Sequence, residues 1–124
     1  HLGEYRRTHF FAVADGHGVN GKPVSEFVKT ILAKEVEQSI KHTFDQAKVN
    51  QRVVDSTEVK EQLDKSFSRV TEGLFKNSGI NLRFSGSTCV SVLIVGNKVF
   101  CANVGDSRAT LARRKEYAGP NGVT

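Results

Sequence analysis

The sequence has no apolar run that approaches the roughly 20 residues needed to span a bilayer, which argues against a transmembrane helix. It also has no internal repeats and no low-complexity segment, and its first residues lack the apolar stretch of a signal peptide. Hydrophobic residues make up 38% and charged residues 25% of the 124 positions, which is typical of one globular domain with a modest core. We therefore expect no membrane partner.

Cysteine is scarce, with Cys89 and Cys101 as the two thiols of the chain. Residues 96–97 read Gly-Asn, which predicts a two-residue hairpin turn. The resulting register places Cys89 opposite Val104. In the same register Cys101 lies opposite Val92, so the two thiols point to opposite faces of the sheet and cannot form a disulfide. Reduced thiols indicate an intracellular protein, located in the cytoplasm, the nucleus or both.

The sequence also lacks a stripe of basic residues interleaved with aromatic ones, the pattern typical of nucleic-acid binding. The net charge is +5, but the basic residues are scattered along the chain. We predict no nucleic-acid partner. The positive charge indicates either an ordinary solvated surface or a mild attraction for phosphorylated, acidic substrates.

Two amphipathic helices are predicted between a first strand at residues 10–15 and a later group of strands. The first has Pro23 in its first turn. Its apolar residues recur at helical spacing and are Val24, Phe27, Val28, Ile31, Leu32 and Val36. The polar residues 45–52 are compatible with either its continuation or its end. A second helix begins with Asp55 or Ser56 as its N-cap and is closed by Gly79.

Three strands are predicted after the helices, at residues 88–95, 98–104 and around 109–113. Both faces of the 88–104 hairpin are apolar, so this sheet needs a covering layer on each side. The helices supply one layer, and a second sheet is the natural candidate for the other. One strand before the helices and three after them cannot build two full sheets, so we expect an incomplete fold.

Residues 15–18, Asp-Gly-His-Gly, follow the apolar first strand directly and form a compact candidate site for a hard cation. The Asp15 carboxylate can bridge metal ions, and Gly16 places no side chain between the backbone and an ion. His17 adds an imidazole, a side chain that commonly serves as a general acid or base. A second acidic turn, residues 103–108, also follows a strand, and residues 84–88 open the strand that leads into it.

These three segments resemble the motifs of the protein phosphatase 2C family of metal-dependent phosphatases. Residues 11–18 are similar to its Asp-Gly-His-Gly motif, residues 85–89 to its Ser-Gly-Ser-Thr element, and residues 103–109 to its Asn-x-Gly-Asp-Ser-Arg element. The resemblance implies a four-layer α/β/β/α sandwich. We therefore expect an α/β (α+β) chain whose residues 1–124 form an incomplete sandwich, as a partial catalytic domain without its N-terminal and C-terminal parts.

The resemblance also implies a function: a monomeric Ser/Thr phosphatase that hydrolyses phosphoproteins with a water activated by two Mg²⁺ or Mn²⁺ ions. Asp15 would bridge the two ions, the Gly16 carbonyl would bind one of them, and Asp106 would hold a third. His17 would act as the general acid toward the leaving oxygen. The alternatives are a tight polar turn at residues 15–18 and a backbone-bonded turn residue at Asp106.

Two features separate this chain from a complete member of the family it resembles: residues 18–21 read Gly-Val-Asn-Gly where many members have Gly-Gly after the histidine, and part of the family's active-site set is absent. An acidic pair, a phosphate-binding arginine and two later aspartates are missing, and Arg6 and Arg7 are not at the arginine's position. We expect the 124 residues alone to be inactive. The competing interpretation is a non-catalytic pseudophosphatase or truncated binding module. Ser87 and Thr88 have no activating base nearby in the sequence and are expected to pack or to form hydrogen bonds.

Overall fold

The computed structural model describes residues 7–115 of the chain. Within these residues the elements are, in order, β1 (Thr8–Val13), β2 (Gly16–His17), α1 (Gly21–Val49), α2 (Ser56–Asn77), β3 (Gly86–Ser87), β4 (Cys89–Val95) and β5 (Lys98–Val104). This α+β arrangement of helices and antiparallel strands confirms the predicted fold class. Neither helix in this part of the chain is long and apolar enough to cross a membrane.

Helix α1 continues through most of the polar stretch whose structure the sequence left open, and it ends at Val49. The reason is that its buried stripe continues past Val36 to Ile40 and Ala47, so the amphipathic pattern still has a core to face. Pro23 lies in the first turn, where a missing backbone donor costs nothing. Beyond the helix, Gln51 adopts a left-handed conformation with φ of 52° and redirects the chain.

Helix α2 begins as predicted, because the Asp55 side chain accepts a hydrogen bond of 2.9 Å from the backbone N–H of Glu58. The Arg52 guanidinium reaches both Glu58 carboxylate oxygens, at 2.7 and 2.8 Å, and this hydrogen bonding lowers the pKa of Glu58. The helix ends with Ser78 as its C-cap. Gly79 follows with φ of 68°, which confirms its predicted role in closing the helix.

The main sheet has the strand order β1-β4-β5, and all its strands are antiparallel. The hairpin register agrees with the prediction: Cys89 pairs with Val104, and Cys101 pairs with Val92. Cys89 is buried, whereas Cys101 is exposed on the opposite face, and both thiols are free. The predicted absence of a disulfide between them is therefore confirmed.

The two thiols should differ measurably in their reactivity toward an alkylating reagent under native conditions. Burial raises the pKa of the Cys89 thiol, so both access and thiolate formation are restricted there. We expect iodoacetamide to modify one cysteine, Cys101, and to leave Cys89 unmodified until a denaturant is added. Peptide mass mapping reads out the sites. Equal labelling of both cysteines in the native protein would contradict this burial.

The hydrophobic core lies between the two helices and one face of the main sheet. Its buried residues come from both layers and include Val24, Leu32, Val36, Ile40, Val59, Leu63, Val70, Cys89, Leu93 and Phe100. The other face of the sheet carries large apolar side chains that remain open to solvent, with Phe11 61%, Val13 65% and Val99 55% exposed. The helices thus cover one side only.

One expectation about the remaining strands is wrong for the described part of the chain. Residues 109–113 do not form a strand; they are exposed, and nothing within residues 7–115 pairs with the outer edge of β5. A strand without a partner leaves its backbone groups to water, so the apolar pattern alone does not order it. The other sheet among the described residues is a small one, because β2 and β3 form a ladder of two residues each.

Candidate functional site

The sheet register brings two acidic turns to the same end of the main sheet. Strand β1 ends opposite the start of β4, where Val13 pairs with Val90. On the other side of β4, its first residue Cys89 pairs with Val104, the last residue of β5. The turns that carry Asp15 and Asp106 therefore leave the sheet on either side of the beginning of β4.

Reciprocal hydrogen bonds to Thr88 hold the backbone of Asp15 in place. The Thr88 N–H donates to the Asp15 carbonyl at 2.9 Å, and the Asp15 N–H donates to the Thr88 hydroxyl at 3.1 Å. The Asp15 side chain itself is exposed. Among the described residues, no side chain forms a hydrogen bond or ion pair with its carboxylate, so its oxygens face solvent and are available to a ligand.

The same Thr88 hydroxyl also reaches the second turn, where it shares a hydrogen bond of 2.7 Å with the hydroxyl of Ser107. The Asn103 side-chain amide donates to the Ser107 carbonyl at 2.8 Å and closes this turn. Gly105, with φ of 100°, packs so closely that a Cβ there would lie 2.7 Å from the Thr88 methyl group. Thr88 therefore connects the Asp15 turn to the turn that contains Asp106.

His17 lies in the short ladder between β2 and β3, where it pairs with Gly86. Its side chain is exposed next to Asp15. The loop that follows is held against residues 81–86: the Asn20 N–H donates to the Ser85 hydroxyl at 3.0 Å, and the Asn20 side-chain amide donates to the Asn81 carbonyl at 2.8 Å.

Gly18 makes this close contact possible. Its φ is 85°, a conformation that side chains rarely adopt, and a Cβ on it would overlap the carbonyl oxygen of Phe84. The sequence departs from a Gly-Gly pair after His17, yet the position that needs a glycine has one. The loop can therefore hold His17 at the sheet end without a second adjacent glycine.

The donor atoms of the Asp15 turn fit a hard divalent cation in type. A carboxylate and a backbone carbonyl, from Asp15 and Gly16, are the oxygen ligands that Mg²⁺ takes in proteins. These two donor groups are too few to complete a metal site. Within residues 7–115, no three His, Cys, Asp or Glu side chains come close enough together to hold an ion. The described residues can supply part of an octahedral shell, and other ligands or water must supply the rest.

The predicted site residues thus form one connected region. Asp15, Gly16 and His17 are adjacent, and Asp106 joins them through the bond between Ser107 and Thr88. The expectation that Thr88 forms hydrogen bonds is confirmed. Ser107 and Asn20, which also link these segments, were not among the residues predicted from the sequence. The signal for Ser107 was its small hydroxyl directly after Asp106, at the end of a strand.

Comparison with known proteins is consistent with this arrangement. The family model for protein phosphatase 2C matches residues 2–121. Probable protein phosphatase 2C 35 of Arabidopsis thaliana is 39% identical over 104 residues, which cover 84% of this chain and 26% of that protein. Probable protein phosphatase 2C 73 of Oryza sativa subsp. japonica is 31% identical over an alignment of 134 residues, which covers 92% of this chain and 32% of that protein. The chain thus spans about a quarter to a third of these relatives, and it belongs to the protein phosphatase 2C family.

Proposed function

We propose that this chain is part of the catalytic domain of a metal-dependent protein phosphatase that hydrolyses phosphoserine and phosphothreonine in proteins. One observation carries the proposal: two acidic turns at one end of the sheet are joined through the Thr88 hydroxyl, with His17 exposed beside Asp15. Family membership supports the general activity. The specificity for Ser and Thr, the metal requirement and the residue roles belong to the proposal.

Asp15 and Gly16 would hold the divalent cations, Asp15 through its carboxylate and Gly16 through its carbonyl. Bound Mg²⁺ or Mn²⁺ supplies Lewis-acid stabilisation of developing charge and lowers the pKa of water at the site. The task of this chain is to keep those oxygens in a constant position. The two hydrogen bonds between Asp15 and Thr88 support that task, because they fix the backbone from which the carboxylate extends.

His17 would donate a proton to the oxygen of the departing serine or threonine. An alkoxide is a poor leaving group, so hydrolysis of these esters benefits from a positioned acid. The exposure of His17 next to Asp15 allows a substrate to reach it. Asp106 would hold an additional cation next to the first pair. Its exposed carboxylate and its link through Ser107 support this role.

One observation favours a second candidate, a non-catalytic binding module that retains the fold. Across residues 7–115, no set of three potential ligand side chains is brought together, so these residues by themselves do not complete a two-ion site. A module of this kind would bind phosphorylated proteins through the same sheet end without hydrolysing them. The two candidates differ in metal-dependent turnover by the full-length protein.

Metal-dependent turnover is therefore the test of the proposed function. We expect the full-length protein to release phosphate from a phosphothreonine peptide with Mn²⁺ or Mg²⁺, to lose that activity in EDTA, and to regain it when metal is restored. The separate 124-residue chain should be inactive in the same assay, because one bridging carboxylate leaves most of each coordination shell to water. Phosphopeptide binding without turnover by the full-length protein would favour the binding module. Turnover that persists in EDTA would contradict the metal requirement.

A further inference from the structure

Gly86 has no side chain at the place where the imidazole of His17 lies. The two residues are directly paired in the ladder of β2 and β3, so their side-chain positions share one face. A Cβ built on Gly86 would lie 2.9 Å from both Cε1 and Nε2 of His17. The imidazole therefore lies against bare backbone, in the space that any other residue at position 86 would occupy.

The backbone of Gly86 has little freedom to move away from the ring. The preceding residue, Ser85, accepts the N–H of Asn20, and Gly18 packs tightly against the Phe84 carbonyl. On the other side, Ser87 pairs with Gly16, and Thr88 is bonded to Asp15. A side chain at position 86 would thus displace the imidazole rather than the strand.

We infer that Gly86 is a positioning residue for His17: its bare backbone fixes where the imidazole lies and hence where it delivers its proton. The inference rests on the proposed general-acid role of His17 and extends it to a residue with no reactive group. An imidazole displaced by about 1 Å can cost about 10²-fold in rate, because proton transfer requires a short, aligned contact.

The first test is Gly86→Ala in the full-length protein, assayed on two substrates. We expect kcat for a phosphothreonine peptide to fall by about 10²-fold with KM nearly unchanged, because the ring is displaced and binding is not. The kcat for an aryl phosphate should fall only slightly, since a phenolate departs without a proton. Ser87→Ala is the matched control, because the Ser87 hydroxyl bonds the Thr88 carbonyl and not His17. An equal loss on both substrates would overturn the inference.

The second test is a double-mutant cycle with His17→Ala. If Gly86 acts through the imidazole, then Gly86→Ala should cost nothing further once the ring is removed, and the double variant should recover the melting temperature that Gly86→Ala loses. The cycle remains informative even if Gly86→Ala alone folds poorly, because the added methyl group has space once the imidazole of His17 is removed. Additive losses would overturn the inference.

A third measurement separates this inference from the proposed function. The Cε1–H NMR signal of His17, assigned by its disappearance in His17→Ala, should shift in Gly86→Ala and stay in place in Ser87→Ala. An unchanged signal in Gly86→Ala would overturn the packing argument whether or not the protein is an enzyme. Absence of metal-dependent aryl phosphate hydrolysis in the unmodified protein would instead overturn the proposed function, and with it the effect of Gly86 on proton delivery.

Discussion

Replacing Asp15 by asparagine in the full-length protein is expected to nearly abolish hydrolysis of every phosphate ester. The substitution keeps the size of the side chain and its backbone bonds to Thr88, so the turn should remain intact. It removes the negative charge that would hold the cations, and amide oxygens are much weaker ligands for bridging two of them. The loss should exceed the about 10²- to 10⁴-fold typical of a missing general acid.

The loss in Asp15→Asn should be equally large for a phosphopeptide and for an aryl phosphate, because both need the cations. Calorimetry should show weakened binding of Mg²⁺ or Mn²⁺ in parallel. Asp106→Ala is the comparison variant: it should slow turnover while leaving the main metal binding in place, if Asp106 serves an additional ion. A rate near that of the unmodified protein in Asp15→Asn would show that Asp15 does not hold the catalytic cations.

Replacing His17 by alanine is expected to produce the second-largest effect, and that effect should depend on the leaving group. Removal of the proton donor should cost about 10²- to 10⁴-fold on a phosphothreonine peptide. The loss should be much smaller on an aryl phosphate, because the departing phenolate is stable without a proton. Steady-state kinetics on the two substrates measures the difference, and metal binding by calorimetry should stay close to that of the unmodified protein.

His9 provides a control for nonspecific effects of removing an imidazole. It lies on β1 and stacks on Phe11, with ring centroids 6.4 Å apart, on the face away from the helices. His9→Ala should therefore leave the ratio of the two activities unchanged. If His17→Ala reduces both activities by the same factor, the imidazole acts on a step common to both substrates, and its assignment as general acid is wrong.

The sequence was sufficient to predict the elements that carry a local physical signal. The spacing of apolar residues predicted both helices, and the cap at Asp55 and the glycine at position 79 placed the ends of the second. The Gly-Asn turn at residues 96–97 fixed the hairpin register, since a two-residue loop permits a single pairing. The strand expected near residues 109–113 has no such local determinant, because a strand is defined by its pairing with another strand and not by its own apolar pattern.

The candidate site was predictable in its residues and not in its connections. Asp15, His17 and Asp106 follow strands at motif spacing, and a motif can be read along the chain. The link from Asp15 through Thr88 to Ser107 joins residues 73 and 19 positions apart, and only the tertiary fold brings them together. The close approach of the His17 ring to the Gly86 backbone is likewise a property of the folded ladder. The spacing of these two residues along the sequence does not predict it.

The shared hydroxyl of Thr88 has a consequence for how this region opens. Because one oxygen bonds both the Asp15 amide and Ser107, neither turn can separate from β4 without breaking contacts that also restrain the other. The two turns should therefore fluctuate as a single cooperative unit, and the amide protons of Asp15 and Thr88 should exchange with deuterium at closely matched rates. Local disorder at one acidic turn would then be transmitted to the other across a single side chain.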